Sequence, residues 1–585
     1  MDGSIGRSRW FHPLLLLGWL ILGSGFRWLR LGMEPPWTDE FATLVYSLGN
    51  SFLEVPLDRA ISGEMLLQPV RVASKTGIGD VVAHLLAEST HPPVYFMLSH
   101  WWLGWFSSQG ELVSVTAARS LAAGFGVVAI AAIFFLVRSM FRSTVGAHLA
   151  AAVMAVSPFG IFLSREARHY TLAILVAIAS VGIFLVALRH LHQRQRLPLL
   201  YVLAWVATNG LGVAVHYFFT LVLAAQAIAL GLLSLRSWQQ QRTSPSPSEL
   251  PPLTQSVWYP IYAAAAGSLA TTLAWLPLWQ SFAGSRLTGW VSHGYSLSLE
   301  PVLRLLLWLV TMFALLPVDP ATLPIPVVVV AGIVLLVFFL WALWQLYRGI
   351  RLLLHASNQQ WQPVRWLLAY LLAAAICFAI LTYGFQKDVT LAPRFAFIFF
   401  PAAIAAIGMS LAAWWHKGKY SIALAFLIAG CLGSATTVGD WGYLQHHRTR
   451  LLAQAIQQHS QAPILIASTH KHHGQTGRLM GLAWTFRQQP FSSSPIFQQR
   501  SPQFLLAHKA QPLEAGNDPA VVLQETVAQL SPPLDVWAID FHAPVVLEER
   551  GCVEDEQRWP ELSSYRVRLY HCPHVASKGT SKEAL

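Results

Sequence analysis

The chain has 585 residues, of which 54% are hydrophobic and 11% charged, with a formal net charge of +11. Soluble globular domains carry roughly 25% charged residues, so the composition excludes an ordinary soluble enzyme and places most of the chain in lipid. The basic excess lies in short loops between apolar runs, where it sets membrane orientation, so it does not indicate a nucleic-acid surface.

A membrane span needs about 20 apolar residues. About eleven such runs are predicted, at 10–32, 117–137, 145–163, 170–188, 199–215, 217–234, 259–279, 325–346, 363–382, 395–414 and 421–438. Arg7 and Arg9 precede the first, Arg138 and Arg142 follow the second, and Arg189 to Arg196 follow the fourth. Arg236 and Arg242, Arg348 and Arg351, and Lys417 and Lys419 follow the sixth, eighth and tenth. With a cytoplasmic N-terminus all of these fall inside, and an odd number of spans leaves the C-terminal segment outside. Two shorter apolar stretches, 92–106 with Trp101, Trp102 and Trp105, and 302–316 with Arg304, read as interfacial or re-entrant helices. Counting them gives about thirteen spans. Residues 239–257 read as a flexible cytoplasmic linker.

From Asp440 the chain becomes polar, and the short apolar runs Pro463–Ala467, Phe504–Ala507, Val536–Phe541 and Tyr565–Tyr570 are strand-like. The expected architecture is therefore an all-α polytopic membrane domain at 1–439, with its first outer loop at 33–92, and an extracytoplasmic α/β domain at 440–585. Cys377 and Cys431 fall in apolar runs as packing residues. Cys552 and Cys572 fall outside, where an oxidising compartment allows a disulfide.

This topology puts several charged clusters on the outer face. Pro36-Trp37-Thr38-Asp39-Glu40 follows the first span. Glu88-Ser89-Thr90-His91-Pro92-Pro93 closes the first loop, and Ser164-Arg165-Glu166-Ala167-Arg168-His169-Tyr170 joins the third and fourth spans. Lys387-Asp388 and Pro393-Arg394 join the ninth and tenth, and His216-Tyr217 is a weaker fifth cluster. Ionisable residues at a membrane boundary are costly and often line a substrate site. A carboxylate can take the proton from an attacking hydroxyl or amine, while Lys and Arg neutralise charge on a phosphate leaving group. Together they suit transfer from a lipid-anchored, phosphate-activated donor. The alternatives are an interfacial ion pair for Glu166 and Arg168, a helix-start residue for His91, and an aromatic-belt position for His216-Tyr217.

Trp37-Thr38-Asp39-Glu40, His91-Pro92-Pro93 and Ser164 to Tyr170 resemble the motifs of membrane glycosyltransferases of the GT-C class. The nearest resemblance is to bacterial family 39 enzymes, themselves similar to protein O-mannosyltransferases and to the lipid A aminoarabinose transferase. The architecture covers roughly 10–440, with identity confined to these islands. The resemblance implies inverting transfer of one sugar from a polyprenyl-phosphate donor to a protein, lipid or glycan acceptor at the outer face of the plasma (inner) membrane. It implies Asp39 as base, with Glu40 and Glu166 as its electrostatic partners. It also implies substrate contacts from His91, Arg168, His169 and Tyr170, and a phosphate contact from Lys387 or Arg394.

No cofactor is assumed, and a divalent metal is an option if the carboxylates converge. The competing reading is a transporter or flippase of a lipid-linked saccharide, which the lack of an internal repeat weakens. The run His470-Lys471-His472-His473-Gly474-Gln475 reads as an exposed polar loop, or as an acceptor contact.

Overall fold

The computed structural model describes residues 10–73, 76–106, 108–243, 250–282, 285–292, 298–355, 362–444, 448–488, 501–509, 518–559, 562 and 564–573. Arg7, Arg9 and part of the 239–257 linker lie outside the described residues. The chain divides into two compact units. The first comprises 1–31, 85–102 and 116–444, and the second 32–84, 103–115 and 445–585. This differs from the single boundary expected at 439/440, because most of the first loop belongs to the second unit.

The first unit is helical. Among the described residues six helices are long and apolar enough to cross a membrane: Val115–Phe141, Tyr170–His192, Tyr217–Gln240, Ile325–His355, Gln362–Gly384 and Tyr420–Gly439. A bent pair, Thr144–Ala155 and Pro158–Ser164, makes a seventh if it is one span. The other predicted runs also hold helices, but shorter ones: Phe11–Trp28, Leu199–Val215, Tyr259–Leu273 and Phe400–His416. Extended backbone at His216 ends one of these, and a 3₁₀ turn at Pro393–Ile398 delays the start of another. Apolar composition continues through such breaks, so a hydropathy window does not register them. The stretches at 92–106 and 302–316 form helices of 10 and 12 residues, Val94–Leu103 and Glu300–Thr311, too short to span.

The break in the bent pair has a physical cause. Pro158 cannot donate a backbone hydrogen bond, and Ser157 caps the new helix by accepting from Gly160 N at 3.1 Å. The carbonyls of Met154 and Ala155, released by the break, accept from the fully buried Arg27 at 3.1 Å each. Arg27 also donates to Gly23 O at 2.9 Å and Ser164 Oγ at 3.1 Å. A guanidinium in this position is tolerable because its donors are matched by acceptors. Gly126 makes room for it, since a Cβ there would meet Arg27 Nε at 2.9 Å and clash with Ser164. Elsewhere the helices are joined by a polar network. Ser180 donates to Asn209 at 2.7 Å, Asn209 to Ser268 at 2.9 Å, and Gln226 to Ser180 at 2.8 Å.

The second unit is built on a sheet with strand order β1-β3-β2-β4-β6-β5. The strands are β1 (Ala60–Ser62), β2 (Ile464–His470), β3 (Gln503–His508), β4 (Leu534–Ile539), β5 (Val553–Glu554) and β6 (Val567–Cys572). β2 pairs in parallel with both β3 and β4, and the helices His473–Gln488 and Pro519–Gln529 occupy the connections. The predicted strand-like runs thus become strands with shifted ends. Residues 464–469 of β2 and all of β4 are buried, as expected for central parallel strands with near-continuous apolar runs. Two strands are unpredicted: the short β5, and β1, which comes from the first loop and runs antiparallel to β3, with Ala60 opposite Leu505. Asp535 of β4 and His571 of β6 are cross-strand partners with Oδ1 and Nδ1 2.7 Å apart. Cys552 and Cys572 form a disulfide, while Cys377 and Cys431 are free.

Candidate functional site

In the first unit the segments 89–96, 164–170, 216–218 and 394–397 meet. The turn after the bent pair supplies Glu166, Arg168 and His169, all buried, and Tyr170 opens the next span. Arg168 is fully buried, and its Nη2 lies 2.8 Å from His91 Nε2. A guanidinium only donates, so His91 accepts at Nε2 and its Nδ1–H faces Ser89 Oγ at 3.0 Å. This fixes the neutral Nδ1–H tautomer of His91. Arg168 also lies over the Tyr170 ring, 5.7 Å from its centroid.

His169 is the centre of the cluster. Its ring lies 4.5 Å from that of His216, 4.7 Å from Tyr170 and 5.5 Å from His91, centroid to centroid. Tyr95 and Phe96 add two more ring contacts. Both ring nitrogens of His169 are buried without a hydrogen-bond partner among the described residues, which is unusual for buried polar atoms. Burial, followed by the nearness of His216, Arg168, His91 and Arg394, holds the His169 pKa well below its ordinary value. His216, in the turn between two helices, is lowered by burial and by the same two arginines. Both imidazoles are therefore neutral near pH 7, and the positive field comes from Arg168 and Arg394.

The segment carrying Arg394 follows a π-helical turn at Ile380–Gly384 and is held by a pin that the sequence reading did not identify. Asp388, 6% exposed, accepts from Arg304 Nη2 at 2.5 Å and from Thr390 N and Oγ1 at 2.9 and 2.6 Å. Arg304 Nε also donates to Thr390 Oγ1 at 3.1 Å. Lys387 is exposed, and its Nζ donates to Ser292 Oγ at 2.5 Å, so the structure does not bring it into the cluster. Of the two basic residues expected in this loop, Arg394 is the one beside the cluster: its guanidinium lies over the Phe395 ring, 5.6 Å from the centroid, and that ring meets His216 edge-on at 6.1 Å. Arg165, part of the same motif, donates to Leu29 O at 2.5 Å and ends the helix Phe11–Trp28.

Asp39 and Glu40 belong to the second unit, in the first turn of the helix Thr38–Ser47. Carboxylates there are favoured by the helix dipole. Glu40 is buried, and its Oε2 accepts from Trp37 N at 3.3 Å, closing the start of the helix. Asp39 is half-buried and plays no part in that bond. The helix rests on His473–Gln488, where Phe41 meets Trp484 edge-on at 6.2 Å and Tyr46 meets His473 at 5.9 Å. Gly477 permits the approach, because a Cβ there would stand 3.1 Å from Thr38 O. Part of the His470–Gln475 run is therefore structural: His473 stacks on Phe52 at 5.0 Å, and Gln475 Oε1 accepts from Lys471 N and His472 N.

Among the described residues no group of three or more His, Cys, Asp or Glu is arranged to hold a metal ion. The expected carboxylate group divides between the units, Asp39 and Glu40 in one and Glu166 in the other.

No protein-family model matches the chain, and no curated protein matches it. Among solved structures it is similar to ArnT from Cupriavidus metallidurans bound to undecaprenyl phosphate, with TM-score 0.47 and 12% identity over 97% of this chain and 99% of that one. It is similar to the Archaeoglobus fulgidus oligosaccharyltransferase in the apo form, with TM-score 0.43 and 13% identity over 92% and 70%. It is also similar to the S. cerevisiae protein O-mannosyltransferase Pmt1-Pmt2 complex bound to the sugar donor, with TM-score 0.31 and 15% identity over 48% and 35%. These neighbours are glycosyltransferases of the GT-C class.

Proposed function

We propose that this chain is an integral membrane glycosyltransferase that moves one sugar from a polyprenyl-phosphate donor to an acceptor at the extracytoplasmic face of the plasma membrane. The observation that carries the reading is a buried cluster in which Arg168 is bonded to His91 and Arg394 lies over the Phe395 ring that abuts His216, itself packed near His169. Two cations within an apolar, aromatic surround form a place for an anion that is itself attached to lipid. Motifs around Asp39, His91 and Arg168 that resemble GT-C enzymes support the same reading.

In the proposed turnover the acceptor oxygen attacks the anomeric carbon as its proton passes to a carboxylate base, the role that the resemblance implies for Asp39. The bond from that carbon to the phosphate oxygen breaks, and the electron pair leaves with the polyprenyl phosphate. Arg168 and Arg394 bind that phosphate and offset the charge that develops on it, and Arg can do so through two parallel hydrogen bonds. His91, as a neutral acceptor, holds Arg168 in orientation. The Tyr170 ring is the aromatic face over which the guanidinium lies, and His169 packs beside that ring. Glu40 keeps the helix of Asp39 closed. The single sugar, the inverting outcome and an acceptor that is protein, lipid or glycan belong to this proposal, and none of its steps is routed through a metal.

The test is to reconstitute the chain in liposomes with a radiolabelled polyprenyl-phosphate sugar and candidate acceptors. The proposal expects loss of label from the lipid with release of free polyprenyl phosphate. Movement of intact labelled lipid between leaflets without cleavage would overturn it in favour of a flippase.

A further inference from the structure

We propose that the crevice at the carboxyl ends of β2 and β4 in the second unit is a binding site for a phosphate monoester, carried on a soluble saccharide. In an open parallel sheet, ligands bind outside the carboxyl ends of the strands where the strand order reverses. Here the chain passes from β2 to β3 on one side and then to β4 on the other, so the reversal falls between β2 and β4. That position is marked by His542 N, which donates to Thr469 Oγ1 at 2.7 Å across the gap.

The crevice is basic and has room for a ligand. On the β6 side of that point, a cavity of about 550 Å³ at the end of β4 and the start of β6 is lined by Phe541, His542, Pro544, Arg566 and Arg568, among others. Lys509, which follows β3, borders the cavity through His542. Its backbone N donates to His470 O and its Nζ to His542 O, each at 2.9 Å. The acid on this rim, Asp540, is engaged by Arg478 and by Arg566 N. His542 faces Lys471, Asp540, Arg566 and Lys509, and after burial these charges, three cations against one acid, hold its pKa below the ordinary value. An anion in the crevice would reverse that effect.

The occupant follows from the donor set. Arg566 and Arg568 present planar forks and Lys509 a point charge, the combination that suits phosphate oxygens. The side chains, not a helix terminus, make the site, because Gln475 already takes the amides of Lys471 and His472. The volume exceeds what a bare phosphate needs and fits an attached sugar ring.

Glucose 6-phosphate serves as the probe, measured by calorimetry on the full chain in phosphatidylcholine nanodiscs. Wild type should bind it, and glucose alone should not. Arg566→Ala and Lys509→Ala should each weaken binding about tenfold or more, by the worth of a charged hydrogen bond, and Lys509→Arg should restore it. Arg168→Gln should leave it unchanged, which separates this site from the donor cluster. Competition by phosphatidic acid added to the discs would assign the phosphate to a lipid headgroup instead of a soluble saccharide. Equal binding by all variants, or binding lost only in Arg168→Gln, would overturn the proposal.

Discussion

Arg168 and His91, far apart in the chain, share a 2.8 Å hydrogen bond in which the arginine must be the donor. The bond ties the end of the first loop to the turn after the bent helix pair and leaves the histidine neutral. Its removal should act on donor binding. His91→Ala frees a guanidinium that the structure holds in one orientation, so KM for the donor should rise, by about tenfold if one charged hydrogen bond is lost. Arg168→Gln should lower catalytic efficiency by at least as much. Donor titrations of both variants in lipid check this, and unchanged KM in both would remove the cluster from the donor site.

Asp39 and Glu40 should behave differently although they are neighbours. Asp39→Asn should reduce turnover by ~10² to 10⁴, the typical worth of a general base, with thermal stability unchanged. Glu40→Gln keeps an oxygen that can accept from Trp37 N and should retain most activity. Glu40→Ala should destabilise the protein by ~1 kcal/mol through the lost cap. Turnover and melting temperature measured on the same preparations separate the two roles.

In the loop before the last two spans, Arg394→Ala should lose about tenfold or more in catalytic efficiency, whereas Lys387→Ala should stay near wild type. The lysine is exposed and bound to Ser292, while the arginine lies over the Phe395 ring that abuts His216. Steady-state kinetics decide it, and the opposite ranking would transfer the phosphate contact to Lys387.

Gly477→Leu should disturb the seat of the helix that carries Asp39. A side chain there is driven against Thr38 O, and overpacking of this kind costs ~1–3 kcal/mol. The expected result is reduced turnover with a lowered melting temperature, and Gly477→Ala should show a smaller loss of both. Wild-type values in the leucine variant would show that the two helices are not held as described.

His571 gives the second unit a pH dependence. Burial opposes protonation, but the carboxylates of Asp535 and Asp555 outweigh it and raise the pKa above the ordinary value. A group whose folded pKa is raised stabilises fully below its unfolded pKa of about 6.5 and loses that contribution as pH rises through the folded value. Wild type should therefore lose stability above pH ~6.5 relative to His571→Asn, whose profile should be flatter there. Denaturant midpoints across pH 5 to 9 test this, and parallel profiles would argue against it.

Sequence reading succeeded where the information was local. The turn Ser164 to Tyr170, the helices at the apolar runs and the central strands all follow from neighbouring residues, while the Cys552–Cys572 disulfide was only allowed by the side on which the topology put both cysteines. It fell short where the partner is distant. A strand of three residues, Ala60–Ser62, carries no readable periodicity, so the assignment of the first loop to the second unit was not visible. Arg304 looked like an interfacial charge, because nothing in 302–316 reveals that Asp388 waits for it. Lys387 and Arg394 are equivalent on composition, and only the fold around them separates their surroundings. Arg27 was part of an apolar run, and its carbonyl partners exist only because a helix breaks elsewhere.

The pairing of β1 with β3 also sets an order of events during synthesis. The first loop is made roughly 440 residues before the strand it must join. Until then the edge at Ala60–Ser62 and the apolar face of Thr38–Ser47 have no permanent neighbour, and such unpaired edges are sites of misassembly. Maturation of the proposed base is thus postponed until β3 has been made. A late nonsense mutation would leave the loop that bears Asp39 intact in sequence and without its seat.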